Sequence, residues 1–351
     1  MHSSWINRIV IAGLLSFLAL TQGCSPEQEV TATESSEKLE EVRLAWAGGP
    51  RIWVLGQIDK SFDQALGVPV KWVEFASGAE VLSLFAANEI DIARFGNNPA
   101  IAGISRGLPI EIIGLEGLVA TSEKLMVKPE IKQLNDLAGK TVAFPANSTA
   151  QFALEAALEV QAIDKKSIRL LPLKPAEIVA AWNRGDIDAA YVWAPFSLEL
   201  EKQGAHAIYQ TIDLKQHGII VYNNFVVRKE FAQQHPALVS AFLRNYQAKV
   251  DEYQNAPEEA ISKLARHLSL PAEQVRASLS GIEYIPLEQQ ATKVYLGSIN
   301  HDKNSGIAQS ALDIADFLIR TGEIRVQDKP ESYADFINNQ YLIDAVSVQE
   351  P

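Results

Sequence analysis

The fold is most clearly indicated by residues 180–195, which read AAWNRGDIDAAYVWAP. Their first part has helical spacing, a glycine ends the helix, and the apolar run Ala189–Trp193 predicts a strand that stops before Pro195. A similar order occurs earlier, where residues 88–93 read NEIDIA and the following strand stops before Pro99. We interpret this repeat as two similar α/β lobes, each presenting a loop at a strand end, where open α/β sheets bind ligands. Chance recurrence of a helix-to-strand turn is the alternative.

Strand and helix patterns alternate on both sides of this segment, which predicts βαβ units and a parallel sheet. The C-terminal third reads as almost wholly helical. The predicted strands are 41–47, 70–75, 91–95, 110–115, 141–144, 168–171, 189–193 and 225–228. The predicted helices are 52–66, 77–87, 99–106, 148–160, 176–182, 236–253, 257–268, 271–279, 287–296 and 307–321.

The composition is that of a globular protein. The chain has 351 residues, of which 47% are hydrophobic and 21% charged, and this balance excludes a mainly disordered, collagenous or polytopic membrane protein. The length suggests two domains. Lys and Arg number 31 against 43 Asp and Glu, so the formal net charge of −12 disfavours nucleic acid as a partner. The single cysteine excludes an intrachain disulfide and a thiolate metal cluster.

The N-terminal residues predict export. One basic residue precedes the apolar run Ile9–Leu20, which is too short for a stable membrane span but fits the core of a secretory signal. The following Thr21–Cys24 resembles the lipobox of bacterial lipoproteins, so we predict a signal peptide over residues 1–23 and lipidation of Cys24. An ordinary signal peptide with a free cysteine is the alternative. Residues 24–40 are rich in Glu and lack aromatic residues, which predicts a flexible tether.

Three predicted helix starts could together bind an anion. Free N–H groups and the helix macrodipole favour a negative charge at such a terminus. Capping by their own side chains explains each start alone, but at equivalent places in two lobes they suggest a clamp for a small anion. We expect Asn98 to cap its helix, with Pro99 in the next position. The candidate residues are Ser77, Asn97, Asn98, Asn147, Ser148 and Thr149.

An arginine and two tryptophans complete the candidate site. Arg51 follows a predicted turn that includes Gly49, and it could supply a full positive charge or be an ordinary surface arginine. Trp46 and Trp193 lie at strand ends, where an indole can exclude water from a small ligand, although a core tryptophan beneath a loop is equally common. Trp182, at a helix end, is expected in the core.

The sequence contains no recognisable catalytic constellation. Its six histidines show no metal-ligand spacing, and motifs for a serine nucleophile elbow, a phosphate loop, a zinc protease or a dithiol are missing. Asp91 and Asp188 form a possible carboxylate pair, but each opens a strand at the edge away from the ligand loops, so we assign them to turn hydrogen bonds. The sequence therefore favours binding over catalysis and predicts no metal and no cofactor.

Four segments resemble the taurine- and alkanesulfonate-binding proteins of bacterial ABC importers. The resemblance runs from about residue 42 to about residue 340, and residues 180–195 are its most specific part. It implies a two-lobed periplasmic-binding-protein fold of type II: α/β, with mixed or parallel sheets, two hinge strands and a helical C-terminal part. The segments are 75–79 (FASGA), 95–99 (FGNNP), 180–195 and 226–231 (VVRKEF).

This resemblance implies a sulfonate ligand and places it. Asn97, Asn98, Ser148 and Thr149 would face the sulfonate, and Trp193 would lie beside its alkyl chain. The first lobe would comprise residues 41–122 and 226–351, and the second lobe residues 123–225. The hinge strands would cross near 122–128 and 221–227.

Two departures from the family bear on the ligand. The family commonly has hydroxyl residues at the positions of Asn97 and Asn98, but an asparagine amide can still donate to a sulfonate. Taurine binders carry an aspartate at the position of Asn223, so a charge partner for the ammonium group of taurine is missing there. Glu116 or Glu74 could replace it. We expect taurine, with an unaminated alkanesulfonate or another small organic anion as the alternative.

The resemblance also implies partners and a location. We expect a monomer in the periplasm or on the outer face of the membrane, held by a lipid at Cys24, that delivers its ligand to a membrane permease driven by a cytoplasmic ATPase. An enzyme on the same scaffold is an alternative, but a desulfinase of that type would need a cysteine in the cleft, and the chain after Cys24 has none. A tethered sensor or chaperone is a further alternative.

Overall fold

The computed structural model describes residues 39–298 and 300–347, so the predicted signal peptide, Cys24 and most of the predicted tether lie outside the described residues. The described chain forms two β-sheets with helices packed around them. Its strands are β1 (Val42–Trp46), β2 (Val70–Glu74), β3 (Ile92–Gly96), β4 (Ile110–Val119), β5 (Glu123–Val127), β6 (Thr141–Phe144), β7 (Arg169–Pro172), β8 (Ala189–Trp193), β9 (His206–Gln210), β10 (Tyr222–Arg228) and β11 (Ile282–Glu283).

The helices connect the strands and form most of the C-terminal part. No helix in the described ranges is both long and apolar enough to cross a membrane. They are α1 (Val54–Asp59), α2 (Ser61–Leu66), α3 (Gly78–Ala86), α4 (Asn97–Ser105), α5 (Thr149–Val160), α6 (Pro175–Arg184), α7 (Phe196–Lys202), α8 (Lys229–Gln234), α9 (Pro236–Asn255), α10 (Pro257–Leu268), α11 (Ala272–Ser280), α12 (Leu287–Gln290), α13 (Gly306–Arg320) and α14 (Gln340–Ser347).

The first sheet has the strand order β11-β4-β10-β3-β1-β2. Strand β1 runs parallel to β2 and β3, as the βαβ pattern predicts. Strand β10 is antiparallel to both β3 and β4, because the chain returns from the second sheet and inserts between them. The strand and helix spacing predicts the parallel part of this sheet, and the antiparallel β10 makes it a mixed sheet, one of the two forms that the family resemblance implies.

The second sheet repeats this arrangement with the order β7-β6-β8-β5-β9. Strand β6 is parallel to β7 and β8, while β5 is antiparallel to β8 and β9. Strands β3 and β8, which carry the sequence repeat, occupy equivalent places beside an antiparallel strand. The repeat interpretation is confirmed, although β5 and β9 were not predicted.

Several predicted helices have different bounds in the structure. The predicted helix 52–66 is split into α1 and α2 by Lys60, whose φ of 58° breaks the helical path. The predicted helix 287–296 ends at Gln290, and the short helices α7, α8 and α14 were missed. These helices are too short for their periodicity to stand out from the flanking turns.

Asp91 and Asp188 hold the starts of β3 and β8, as predicted. Asp91 accepts the backbone N–H of Arg43 at 2.9 Å and is also paired with the guanidinium groups of Arg43 and Arg228. Asp188 accepts the backbone N–H of Thr141 at 2.9 Å and the ammonium group of Lys128 at 3.0 Å. Both carboxylates are thus used for structure rather than for a ligand.

The first sheet is buried on both of its faces, and successive residues of its strands belong to different core clusters. Ala93 and Phe95 of β3 belong to a core cluster that also includes residues of the second sheet, while Ile92 belongs to a cluster with Phe225 and Phe242. Because side chains alternate along a strand, the next residue on the side of Ile92 is a charged one, Arg94.

The chain passes between the two sheets twice. It leaves the first sheet after Val119, enters the second at Glu123, and returns between Gln210 and Tyr222. The two crossings are joined by backbone hydrogen bonds, including one of 3.1 Å from the N–H of Ile212 to the carbonyl of Ala120. The division into lobes at residues 122 and 225 stays a prediction.

Candidate functional site

A buried ion pair lies next to the carboxyl end of β3. Arg94 is 6% exposed, and Glu116 of β4 is 0% exposed. The guanidinium of Arg94 donates from Nε to Glu116 Oε2 at 2.6 Å, and its Nη2 donates to the same oxygen. Arg94 is not among the residues predicted from the sequence. The available signal was a charged residue inside an otherwise apolar strand, since a buried charge must be paired.

Arg51 brings a second guanidinium to this pair. It follows a turn in which Gly48 and Gly49 have φ of 67° and 73°, a region that glycine adopts readily. Its Nε lies 3.9 Å from Glu116 Oε1, and its side chain is 16% exposed. Burial and the nearby charge of Arg94 together lower the pKa of Arg51 to about 10, and the carboxylate of Glu116 opposes this lowering. Arg51 is therefore not a surface arginine, and an anion beside it would be stabilised.

A second buried carboxylate, Glu123, stands at the start of β5 opposite Trp193 of β8. It is 5% exposed, and the hydroxyl of Thr149 donates to its Oε1. Its Oε2 is buried and has no hydrogen-bond partner among the residues that the structure describes. Burial raises the pKa of Glu123 to about 7, although the Thr149 hydrogen bond and the charges of Arg94 and Arg51 lower it.

The start of α4 places two buried asparagines at this site. Asn97 is 0% and Asn98 1% exposed. The amide oxygen of Asn97 accepts the N–H of Asn98 at 2.9 Å. Within the described ranges, Asn97 Nδ2 and both amide atoms of Asn98 have no partner. The prediction that Asn98 caps the helix is wrong. The cap is Gly96, which frees both amides for other contacts.

The starts of α4 and α5 are in contact through Gly96. A Cβ placed on Gly96 would lie only 2.8 Å from Cγ2 of Thr149, in the first turn of α5. It would lie 3.9 Å from Oδ1 of Asn223, which pairs with Gly96 in the first sheet and is 6% exposed. Thr149 and Asn223 therefore flank the same glycine, and the first sheet meets the start of α5 at this point.

Asn147 and Ser148 hold the loop before α5. Ser148 caps this helix, accepting the N–H of Gln151 at 3.2 Å, as capping alone would predict. The half-buried Asn147 has φ of 53°, and its side-chain amide faces the carboxylate of Glu323. A Cβ built on Gly78 would lie 3.2 Å from the carbonyl of Asn147, so this loop packs against the start of α3.

The remaining candidates make no hydrogen bond to the buried charges in the described part of the chain, although Trp193 is the cross-strand partner of Glu123. Ser77 is exposed and caps α3 by accepting the N–H of Glu80. No atom lies within 4 Å of a Cβ built on Gly49, which shapes the turn before Arg51. Trp46 is buried with its ring centroid 6.5 Å from that of Trp72, and Trp193 is half-buried against the core.

The site as a whole joins charges of both signs with uncharged donors. Two guanidinium groups and two carboxylates lie around the helix starts, together with the amides of Asn97 and Asn98 and the hydroxyl of Thr149. Such a set recognises a small polar molecule rather than an apolar one. The described residues include no group of histidine, cysteine or carboxylate side chains suited to a metal ion.

Comparison with known proteins gives a consistent result. Residues 52–269 match the model of the NMT1-like family. The taurine-binding periplasmic protein of Escherichia coli is 33% identical over 82% of this chain and 88% of its own length. An aliphatic sulfonates-binding protein of Bacillus subtilis is 26% identical over 95% of both chains.

Solved structures agree on the fold. The periplasmic aliphatic sulphonate-binding protein SsuA of Escherichia coli has a TM-score of 0.69 and 21% identity, covering 82% of this chain and 90% of its own. The desulfurization enzyme DszB has the same fold, with a TM-score of 0.60 and 16% identity over 87% of this chain and 99% of its own. The predicted two-lobed periplasmic-binding-protein fold is confirmed. The sequence relatives reported above are named as binding proteins, and the same fold occurs in an enzyme.

Proposed function

Because the chain belongs to the NMT1-like family, we propose that it captures a small organic sulfonate, taurine above all, between its two lobes and delivers it to an ABC permease. This proposal takes the ligand class from the curated relatives, which are named for taurine and for aliphatic sulfonates. The unaminated alkanesulfonates remain the alternative within the same class.

The observation that carries the proposal is the set of buried amide groups at the helix starts. Asn97 and Asn98 are fully buried, and their amide nitrogens have no hydrogen-bond partner among the described residues. Buried donors of this kind are satisfied in most native proteins, so they need an acceptor. A sulfonate offers three oxygens to these donors, to the start of α4 and to the guanidinium of Arg51.

The mechanism follows from contacts that join the two sheets. Asn97 and Asn98 follow a strand of the first sheet, whereas Thr149 follows a strand of the second. A ligand that contacts both sides stabilises the form in which the lobes meet, by its differential affinity for that form. The permease would then receive the closed form. The proposal implies that the protein works outside the cytoplasm, as the name of its periplasmic relative in Escherichia coli indicates for that protein.

Binding is proposed rather than catalysis. The enzyme alternative concerns a desulfinase on this scaffold, which would need a cysteine nucleophile at the site. The only cysteine of the sequence is Cys24, within the predicted signal and tether region. The residues that the structure describes include no cysteine.

We expect the chain from Ser25 onward to bind taurine with a dissociation constant in the micromolar range or below. The measurement is isothermal titration with taurine, ethanesulfonate, isethionate and sulfate, on protein freed of any co-purified ligand. Trp193→Ala should weaken taurine binding about tenfold or more, because the indole would cover the alkyl chain. Ser77→Ala is the control, since its hydroxyl caps an exposed helix start.

The four ligands separate the alternatives. Heat with an unaminated sulfonate but not with taurine would keep the fold and mechanism and change the substrate. A folded protein that binds none of the four would overturn the proposed function.

Lipidation of Cys24 is a separate prediction. We expect the full-length protein, expressed in a bacterium, to fractionate with membranes and to carry a mass increase matching a diacylglyceryl group at Cys24. Cys24→Ser should release it to the soluble fraction. A mature protein that begins elsewhere, with an unmodified thiol, would show that the signal is an ordinary one.

A further inference from the structure

A pair of phenylalanines outside the candidate ligand residues joins helices from the two sheets. Helix α5 follows β6 of the second sheet, whereas α13 packs beside α4, which follows β3 of the first sheet. The ring centroids of Phe152 on α5 and Phe317 on α13 lie 5.0 Å apart, with the rings at 85° to each other. Edge-to-face pairs of this kind add stability beyond the area that they bury. The phenylalanine pair therefore holds α5 against α13.

The phenylalanine pair lies at the side of a cavity between these helices. The cavity has a volume of about 570 Å³ and lies between α5, α13 and residues 218–220, which belong to the second crossing between the sheets. Phe152 and Phe317 are both buried and both line it. A separation of α5 from α13 would widen the cavity and expose the two rings to water, which costs free energy in proportion to the apolar area exposed. The pair therefore favours the form in which the two helices meet.

Two polar links join the same parts of the chain. Arg320 Nη2 on α13 lies 3.5 Å from Glu159 Oε2 on α5, but these side chains are 55% and 74% exposed, so their ion pair adds little stability. Beyond the end of α13, the carboxylate of Glu323 lies 3.6 Å from Arg106 Nη2 and is faced by the amide of Asn147, in the loop before α5. The links orient the two helices, and the phenylalanine pair supplies the larger stabilisation.

We propose that Phe152 and Phe317 are positioning residues that set the affinity for every ligand of this protein through the closed form, rather than by contact with the ligand. This inference rests on the proposed function, because it concerns the form that encloses the ligand. The apparent dissociation constant rises in proportion as the fraction of protein in the binding-competent form falls. Loosening the phenylalanine pair should therefore weaken all ligands by the same factor.

This role can be told apart from two others. A residue that contacts one end of a ligand discriminates between ligands that differ at that end, whereas Phe152 and Phe317 face each other and should not alter the ratio of two affinities. An ordinary core residue lowers the free energy of unfolding but leaves the affinity unchanged. Because the pair forms as the lobes close on a ligand that has already entered, its loss should raise the rate of ligand release and leave the rate of association unchanged.

The test is titration calorimetry with taurine and with ethanesulfonate on the chain from Ser25. Phe152→Leu and Phe317→Leu should each weaken both ligands by about three- to tenfold, with the ratio of the two affinities kept within about twofold. Leucine keeps an apolar side chain at each position, and urea denaturation without ligand verifies that the variants fold. Stopped-flow fluorescence with taurine should show release faster by the same factor as the affinity loss.

A matched control and a double variant complete the experiment. Phe231 is also buried and in ring contact, 5.1 Å from His235, but it belongs to the other core cluster, away from α5 and α13. Phe231→Leu should lower the free energy of unfolding and leave both affinities within about twofold of wild type. Phe152→Leu combined with Phe317→Leu should weaken binding by less than the product of the two single effects, because both changes remove one contact.

The results separate this inference from the proposed function. If wild type binds the sulfonates and both folded single variants bind them within about twofold of wild type, the role of the phenylalanine pair is wrong and the proposed function stands. The same conclusion follows if the variants weaken only one of the two ligands, if the effects of the double variant multiply, or if Phe231→Leu loses as much affinity. If wild type binds neither ligand, the proposed function fails and this inference falls with it.

Discussion

Replacing Arg94 with methionine should lower the free energy of unfolding by about 3–5 kcal/mol, the usual cost of breaking a buried ion pair. The change removes both donors to Glu116, which is 0% exposed and cannot turn to water. Arg51 does not replace them, because its Nε is 3.9 Å from the other carboxylate oxygen. Urea denaturation of the ligand-free protein, followed by far-UV circular dichroism, measures the loss.

Two further variants test whether the lost stability comes from the buried ion pair of Arg94 and Glu116. Arg94→Met combined with Glu116→Gln removes both charges and should recover a large part of the lost stability. Arg184→Met breaks an exposed pair with Asp186, whose side chains are 63% and 52% accessible, and should cost less than about 1 kcal/mol. A single variant as stable as wild type, or a double variant no better than the single one, would contradict the assignment of Glu116 as a buried charge held by Arg94.

Gly96→Ala should weaken ligand binding by between about fivefold and a hundredfold. Its backbone φ of −66° accepts alanine, so the unliganded fold should tolerate the change. Its new Cβ would lie 2.8 Å from Thr149 Cγ2, closer than two carbons can approach, and it would oppose the contact between α4 and α5. Overpacking of this kind costs about 1–3 kcal/mol. Titration with taurine and with ethanesulfonate measures the loss, which should be similar for both.

A second substitution, at Thr149, should restore the binding that Gly96→Ala weakens. Thr149→Ser removes the methyl group that Gly96→Ala would strike but keeps the hydroxyl that donates to Glu123. Combined with Gly96→Ala, it should restore most of the affinity, and alone it should bind almost as the wild type does. If the double variant binds no better than Gly96→Ala, the two helix starts do not meet in the ligand-bound form.

Much of the fold could be predicted from local patterns in the sequence. The repeat at residues 88–93 and 185–190 predicts two equivalent strands, β3 and β8, because each encodes a helix end, a turn and a strand in sequence. Helix starts with Pro or Ser were also predictable, as at Pro257 and Ser148. These features depend on neighbours within a few residues, which is what a single sequence records.

The mixed sheets were not predictable in the same way. Strand β10 inserts between β3 and β4 from more than a hundred residues away, so its direction depends on the path of the chain through the second sheet. Strands β5 and β9 have apolar patterns, but each lies next to a crossing between the sheets.

The residues of the site also differ in how far the sequence alone predicts them. Asn97, Asn98 and Thr149 could be proposed from helix starts, since the topology places such starts at a ligand edge. Arg94 and Glu123 were missed because each is one charged residue within or at the start of a short strand. Their significance comes from long-range pairing, with Glu116 and Thr149 respectively. A charged side chain in a strand between buried neighbours is the signal that could have found Arg94.

The unpaired amides of Asn97 and Asn98 affect how often the protein would close without a ligand. Closure without cargo would leave these donors buried among described residues that offer them no acceptor. Each such group costs about 1–3 kcal/mol, so two of them make empty closure rare by one to several orders of magnitude. A permease that responds to the closed form would then seldom meet a closed protein that holds no ligand. The two asparagines would thereby limit futile ATP hydrolysis on the far side of the membrane.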